Sequence, residues 1–312
     1  MARKIKMNGS SNKRIEEIFE DFVVSQTAQG LSEVTLANYR HHLHSISLHL
    51  DICKPMDTLI RRDLEEMVVS MRRKGLAHNS ISSYCRVLRT FLNWCRRNGI
   101  DAPEMPNIHD KETVKEAYTD EELLVLLKRP QGDCSFCEYR NWVIVNFLMN
   151  SGCRSATVRN IHNCDVDLDA HHVVLRHNKN GRIQTVPLCS LMVSILREYM
   201  PVRGGRSEDY LFCDQYGNML SMNGLRQAVA RHNRSRGVNK TSTHLFRHTF
   251  ARKYLVDCCG DAFMLQKILG HSTLKMTKHY CAIYDADIAK NFDQFSPLAR
   301  LAPQKGKIRR SK

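Results

Sequence analysis

Nowhere in the 312 residues does an apolar run approach the roughly 18 needed to cross a bilayer. The basic opening, Met1-Ala2-Arg3-Lys4-Ile5-Lys6, is followed by no apolar stretch, so it does not read as a secretory leader, and a cytosolic location is expected. Zinc-finger spacing is also missing. Cys134 and Cys137 form a C-x-x-C pair, but neither a second such pair nor a His-x3-His follows, which argues against a structural zinc. The acidic residues are scattered rather than gathered as a two-metal nuclease requires, so no metal and no other cofactor is expected. Cys85, Cys95 and Cys153 lie in apolar runs, which suits reduced thiols used as small hydrophobes.

Positive charge and core-forming residues are plentiful. With 42% hydrophobic residues the chain can bury real cores, and its length exceeds that of a usual single domain, so two domains are expected. The formal net charge of +15 is spread along the chain, which favours a broad polyanion-binding surface and makes nucleic acid the leading partner.

Residues 1–11 read as a disordered basic tail. A helical domain over 12–106 follows, with four amphipathic patterns carried by Ile15, Phe19 and Phe22, by Leu36, Leu43 and Ile46, by Leu64, Met67 and Met71, and by Ile81, Leu88 and Phe91. Arg72, Arg73, Lys74, Arg86, Arg89, Arg96 and Arg97 edge it and could grip a DNA backbone. Residues 107–117 read as a linker. A second domain over 118–298 opens at a helix capped by Thr119, and continues with an apolar helix from Glu138 to Asn150 that ends at Ser151-Gly152. Between Asp165 and Leu188 the pattern changes to strands, with Asn180-Gly181 signalling a two-residue hairpin turn and Lys179 at its tip. Arg226, Arg231, Arg234 and Arg236, on a later helix, make the best base or backbone reader of this domain. Residues 299–312 form a basic C-terminal tail.

The chemistry concentrates at Thr243-His244-Leu245-Phe246-Arg247-His248. On a helix, His244 and Arg247 stand three apart on one face, while His248 points elsewhere and reads as a structural histidine. With Arg154 the segment offers two guanidinium forks to the oxygens of one phosphate, an arrangement suited to phosphoryl transfer without a metal.

In these residues the chain resembles the tyrosine recombinase (phage integrase) family. The order is Arg154 in Ser-Gly-Cys-Arg, Lys179 on a hairpin, His244-x-x-Arg247, His271 in Leu-Gly-His, and Tyr280 nine residues later. The resemblance covers roughly residues 12–298, and Thr157 departs from it, standing where the family commonly has an acidic residue. It implies a mainly α protein with a small antiparallel sheet: a helical SAM-like core-binding domain and an α+β catalytic domain. It also implies a site-specific recombinase acting on double-stranded DNA with specific core sites, as a homotetramer on a Holliday junction, in a bacterial cytoplasm. Tyr280 would be the nucleophile, with Tyr284 as rival. Arg154 and Arg247 would bind the phosphate, Lys179 would protonate the leaving oxygen, His244 would act as base, and His271 would support the site. Because only residues 1–11 precede the first helix, a chain without an additional N-terminal arm-binding domain is expected. The alternatives are a type IB topoisomerase, a telomere resolvase, or a DNA-binding regulator with a decayed site.

Overall fold

Four stripes of apolar residues at helical spacing build the first unit. In the computed structural model, which describes residues 13–108, 117–176 and 183–278, the chain divides into Met1–Thr113 and Val114–Lys312. The first unit holds α1 (Ile15–Ala28), α2 (Glu33–Ser47), α3 (Arg61–Arg73) and α4 (His78–Arg97). Phe19, Phe22 and Phe91 are fully buried and meet at centroid distances of 5.1 to 5.7 Å, edge-on or tilted as aromatic quadrupoles prefer. Of the seven basic residues on its edge, Arg72, Arg73, Lys74, Arg86 and Arg97 are exposed. Arg89 is half-buried and donates to the Pro106 carbonyl at 3.1 Å, while Arg96, though exposed, donates to the Pro103 carbonyl at 3.0 Å.

The second unit is organised around one helix. α5 (Asp120–Leu127) and α6 (Phe136–Ser151) each open with a reciprocal capping box, Thr119 with Glu122 and Ser135 with Glu138. α6 is buried on nearly every side, and its polar members are satisfied internally. Arg140 donates to the Cys213 carbonyl at 2.6 Å and to Asn141 Oδ1 at 2.8 Å, which is what allows a guanidinium into this core. Around α6 pack α8 (Ser190–Arg203), α9 (Met222–Ser235) and α10 (Thr243–Val256). Among the described residues, α7 (Ser155–Arg159), α11 (Ala262–Leu269) and α12 (Leu274–Lys278) are the remaining α-helices.

A three-stranded antiparallel sheet, β1 (Val166–Asp167), β2 (His172–Leu175) and β3 (Gln184–Pro187), lies in sequence order. Val173 faces Val186 and Leu175 faces Gln184, so these four side chains share one face of the sheet. Val173, Leu175 and Val186 are buried there in the core. The fold is therefore mainly helical with a small antiparallel sheet. No helix among the described residues is long and apolar enough to cross a membrane. Lys179, the Asn180-Gly181 turn, Tyr280, Tyr284 and both tails lie outside the described residues.

Candidate active site

The site is assembled from chain segments that helix ends hold in place. α6 stops at Gly152, whose left-handed φ of 59° closes the helix. A Cβ there would come within 2.5 Å of Phe250 Cδ1 and 2.8 Å of Leu269 Cδ2, so glycine is required both by the turn and by the packing. Two residues on, Arg154 is the N-cap residue of α7 and is half-buried. Ser155 and Thr243 share a hydroxyl hydrogen bond of 2.6 Å, tying the start of α7 to the start of α10.

Arg247, on α10, is among the most buried large side chains, with 2% exposure. Its guanidinium donates through Nη1 to the Gly152 carbonyl at 2.9 Å and through Nη2 to the Leu269 carbonyl at 3.0 Å. Nη2 also lies 2.6 Å from Nε2 of His271. A guanidinium can only donate, so Nε2 accepts and the imidazole carries its proton on Nδ1. Nδ1 in turn donates to Thr277 Oγ1 at 2.8 Å. Burial, then the nearby Arg247 and Arg154 charges, push the His271 pKa down to about 4, in keeping with a neutral ring.

His271 follows Gly270, another left-handed residue, which closes α11. Its backbone N–H donates to the Gln266 carbonyl at 3.0 Å. Thr277, fully buried, lies on α12, three residues before Tyr280 in sequence. A crevice of about 10 Å³ runs among Cys153, Arg154, Thr157, Gln184, Arg247 and Leu269. Thr157 is thus buried in the wall beside the two arginines.

Arg154, Arg247 and His271 converge, as their sequence positions alone could not establish. His244 does not share their burial. It is exposed one turn before Arg247, with its ring edge-on to His248 at a centroid distance of 5.0 Å. The expectation that His244 and Arg247 project together is corrected by this difference: Arg247 turns inward to two carbonyls, and His244 stays at the surface beside His248. His248 therefore neighbours His244 instead of pointing elsewhere.

Outside the crevice, a groove of about 370 Å³ lies between α9 and the start of α10, lined by Arg226, Gln227, Arg234, Thr241, Ser242 and Thr243. Arg226, Arg231 and Arg234 are exposed. Arg236 is not available in the same way, because its guanidinium donates to the carbonyls of Val125 and Lys128, both at 3.1 Å. Gln184 was missed by sequence reasoning. The available signal was an amide at a strand position that alternation assigns to the core face.

Comparison with known proteins agrees with this architecture. A model described as the phage integrase family matches residues 117–287, and one described as phage integrase, N-terminal SAM-like domain, matches 22–99. Tyrosine recombinase XerD of Staphylococcus haemolyticus is 26% identical over 300 residues, covering 91% of this chain and 100% of that one. Tyrosine recombinase XerC of Neisseria meningitidis serogroup C is 25% identical over 299 residues, covering 90% and 96%. Among solved structures, the Tn1549 transposon integrase in complex with transposon right end DNA superposes with a TM-score of 0.73 at 17% identity, covering 93% of this chain and 100% of that one. A lambda integrase dimer bound to a COC' core site gives 0.70 at 15% identity, covering 89% and 81%. With the integrase model spanning more than half of its length and the SAM-like model most of the remainder, the chain belongs to the phage integrase family of tyrosine recombinases.

Proposed function

We propose that the protein is a site-specific DNA recombinase that cuts and rejoins double-stranded DNA through a covalent phosphotyrosine. The Tyr280 hydroxyl attacks the scissile phosphorus in line, forming a 3′-phosphotyrosyl bond as the bond to the 5′ oxygen breaks. Arg154 and Arg247 hold the non-bridging oxygens, whose negative charge grows in the transition state. Tyrosine has an ordinary pKa near 10 and needs a proton acceptor, a role for His244, whose exposure leaves it open to substrate. Lys179 supplies a proton to the leaving 5′ oxygen. The 5′ hydroxyl of a second duplex then reverses the step, and because the ester energy is kept in the protein–DNA bond, no ATP is consumed.

The observation that carries this reading is the meeting of two guanidinium groups from separate turns with His271, which Thr277 links to the segment running into Tyr280. His271 has one nitrogen on Arg247 and the other on Thr277. A phosphate oxygen that drew the inner Arg247 N–H would release Nε2 to bear a proton of its own. The exposed basic edge of the first unit and the Arg226–Arg234 groove of the second supply sequence-independent phosphate affinity. Specific core sites, a tetramer on a Holliday junction and a cytoplasmic location belong to the same proposal.

The test is recovery, under denaturing conditions from cells, of DNA covalently attached to the tagged protein, with sequencing of its ends. The wild type is expected to carry 3′-linked DNA with a recurrent end sequence, and Tyr280→Phe none. An adduct retained by Tyr280→Phe would transfer the role to Tyr284. Adduct formation and resealing without partner exchange would favour the topoisomerase reading. Equal DNA binding by both proteins with no adduct would leave a DNA-binding regulator.

A further inference from the structure

We infer that Gln184 is a positioning residue for the phosphate-binding pair: its carboxamide caps the end of α11 and so leaves Arg247 and His271 set for substrate. This inference rests on the recombinase reading of the site.

An α-helix ends with carbonyls that have no partner within the helix. In α11 those of Gln266, Lys267, Ile268 and Leu269 each have an identifiable partner. The Gln266 carbonyl accepts from the His271 backbone N–H at 3.0 Å, and the Leu269 carbonyl from Arg247 Nη2 at 3.0 Å. The Lys267 and Ile268 carbonyls take Nε2 of Gln184, at 3.0 Å and 2.5 Å, and the Lys267 carbonyl also accepts the Gly270 backbone N–H at 3.2 Å. The amide nitrogen has two hydrogens, and two successive carbonyls use them.

Gln184 reaches this place because it opposes Leu175 on the inward face of the sheet, where it also lines the crevice with Arg154 and Arg247. One side chain from β3 and one from α10 therefore share the end of α11 with the Gly270 and His271 backbone N–H groups. Without the amide the Ile268 carbonyl loses its side-chain partner and the Lys267 carbonyl keeps only the Gly270 N–H, and both can then draw on the Arg247 guanidinium, which shares the crevice with Ile268. Drawn toward them, Arg247 would leave His271 and change its angle to the phosphate. Among the described residues, the charged groups acting on His271 are Arg247 and Arg154, so its ring reports such a movement directly.

The experiment uses the full chain with histidine labelled by nitrogen-15, comparing wild type with Gln184→Met, which keeps volume and removes both donors, and Gln184→Lys, which restores a donor. In wild type His271 is expected in the Nδ1–H form. In Gln184→Met its titration is expected to move up by a unit or more, with covalent adduct formation on the DNA recovered above slowed about tenfold to a hundredfold at unchanged DNA affinity. Gln184→Lys is expected to recover at least part of both. An unmoved His271 titration in a folded Gln184→Met, or an unchanged adduct rate, would overturn the inference. If wild type forms no adduct at all, the recombinase reading fails by itself, and the His271 titration still decides whether Gln184 sets the Arg247–His271 contact.

Discussion

At the scale of single residues, Arg247 carries two duties, and they separate experimentally. Its side chain satisfies the Gly152 and Leu269 carbonyls in a buried place, and in the proposed reaction it binds phosphate. Arg247→Ala removes both partners of those carbonyls and is expected to lower unfolding free energy by on the order of 2–4 kcal/mol, measured by denaturant titration. Arg247→Lys keeps the charge but not the fork. It is expected to slow adduct formation by about 10²-fold or more while DNA affinity changes little. Two buried histidines contribute to the response to acid. His271 and His232, the latter buried with Nε2 donating to the Leu126 carbonyl at 2.9 Å, both have pKa values lowered to about 4, chiefly by burial. Between their ordinary value near 6.5 and about 4 the unfolded chain binds more protons than the folded one. The contribution of these two histidines must therefore fall as pH drops through that window and level off below it. Melting curves from pH 7 to pH 4 check this, and His232→Gln is expected to flatten the dependence.

At the scale of elements, helix ends decide the site. Gly152 and Gly270 close α6 and α11 in the left-handed conformation, and Arg154 and His271 come two residues and one residue after them. Gly152→Ala is expected to cost on the order of 1–3 kcal/mol, because the new methyl meets Phe250 and Leu269 and the backbone resists a positive φ. The adduct rate should fall with it, since the Gly152 carbonyl orients Arg247. Much of this level was legible in the sequence. The Thr119 cap, the Gly152 stop and the apolar stripes of Phe19, Phe22 and Phe91 are local signals, and periodicity reads local order well. What escaped were contacts between distant segments. That Gln184 reaches α11, that Arg236 closes on Val125 and Lys128, and that Arg247 turns in while His244 stays out depend on which faces meet, which no single helix or strand encodes.

At the scale of the whole molecule, the charge of +15 gives affinity, and the site gives chemistry. DNA binding should weaken steeply with salt, as counterions are released from neutralised phosphates. Replacing Arg72, Arg73 and Lys74 together by glutamine is expected to reduce the slope of log affinity against log salt by about 2–3, whereas Arg89→Gln should change it less, since Arg89 is engaged with the Pro106 carbonyl. Salt titrations of binding to unrelated duplex DNA suffice for this comparison. The most direct test of the central claim is peptide mass spectrometry of the covalent adduct formed in the presence of a metal chelator. The expected result is a nucleotide joined through its 3′ phosphate to Tyr280, with a free 5′ hydroxyl on the departing strand. A nucleotide on any other residue, a 5′ phosphate on that strand, or an adduct that the chelator abolishes would contradict the account.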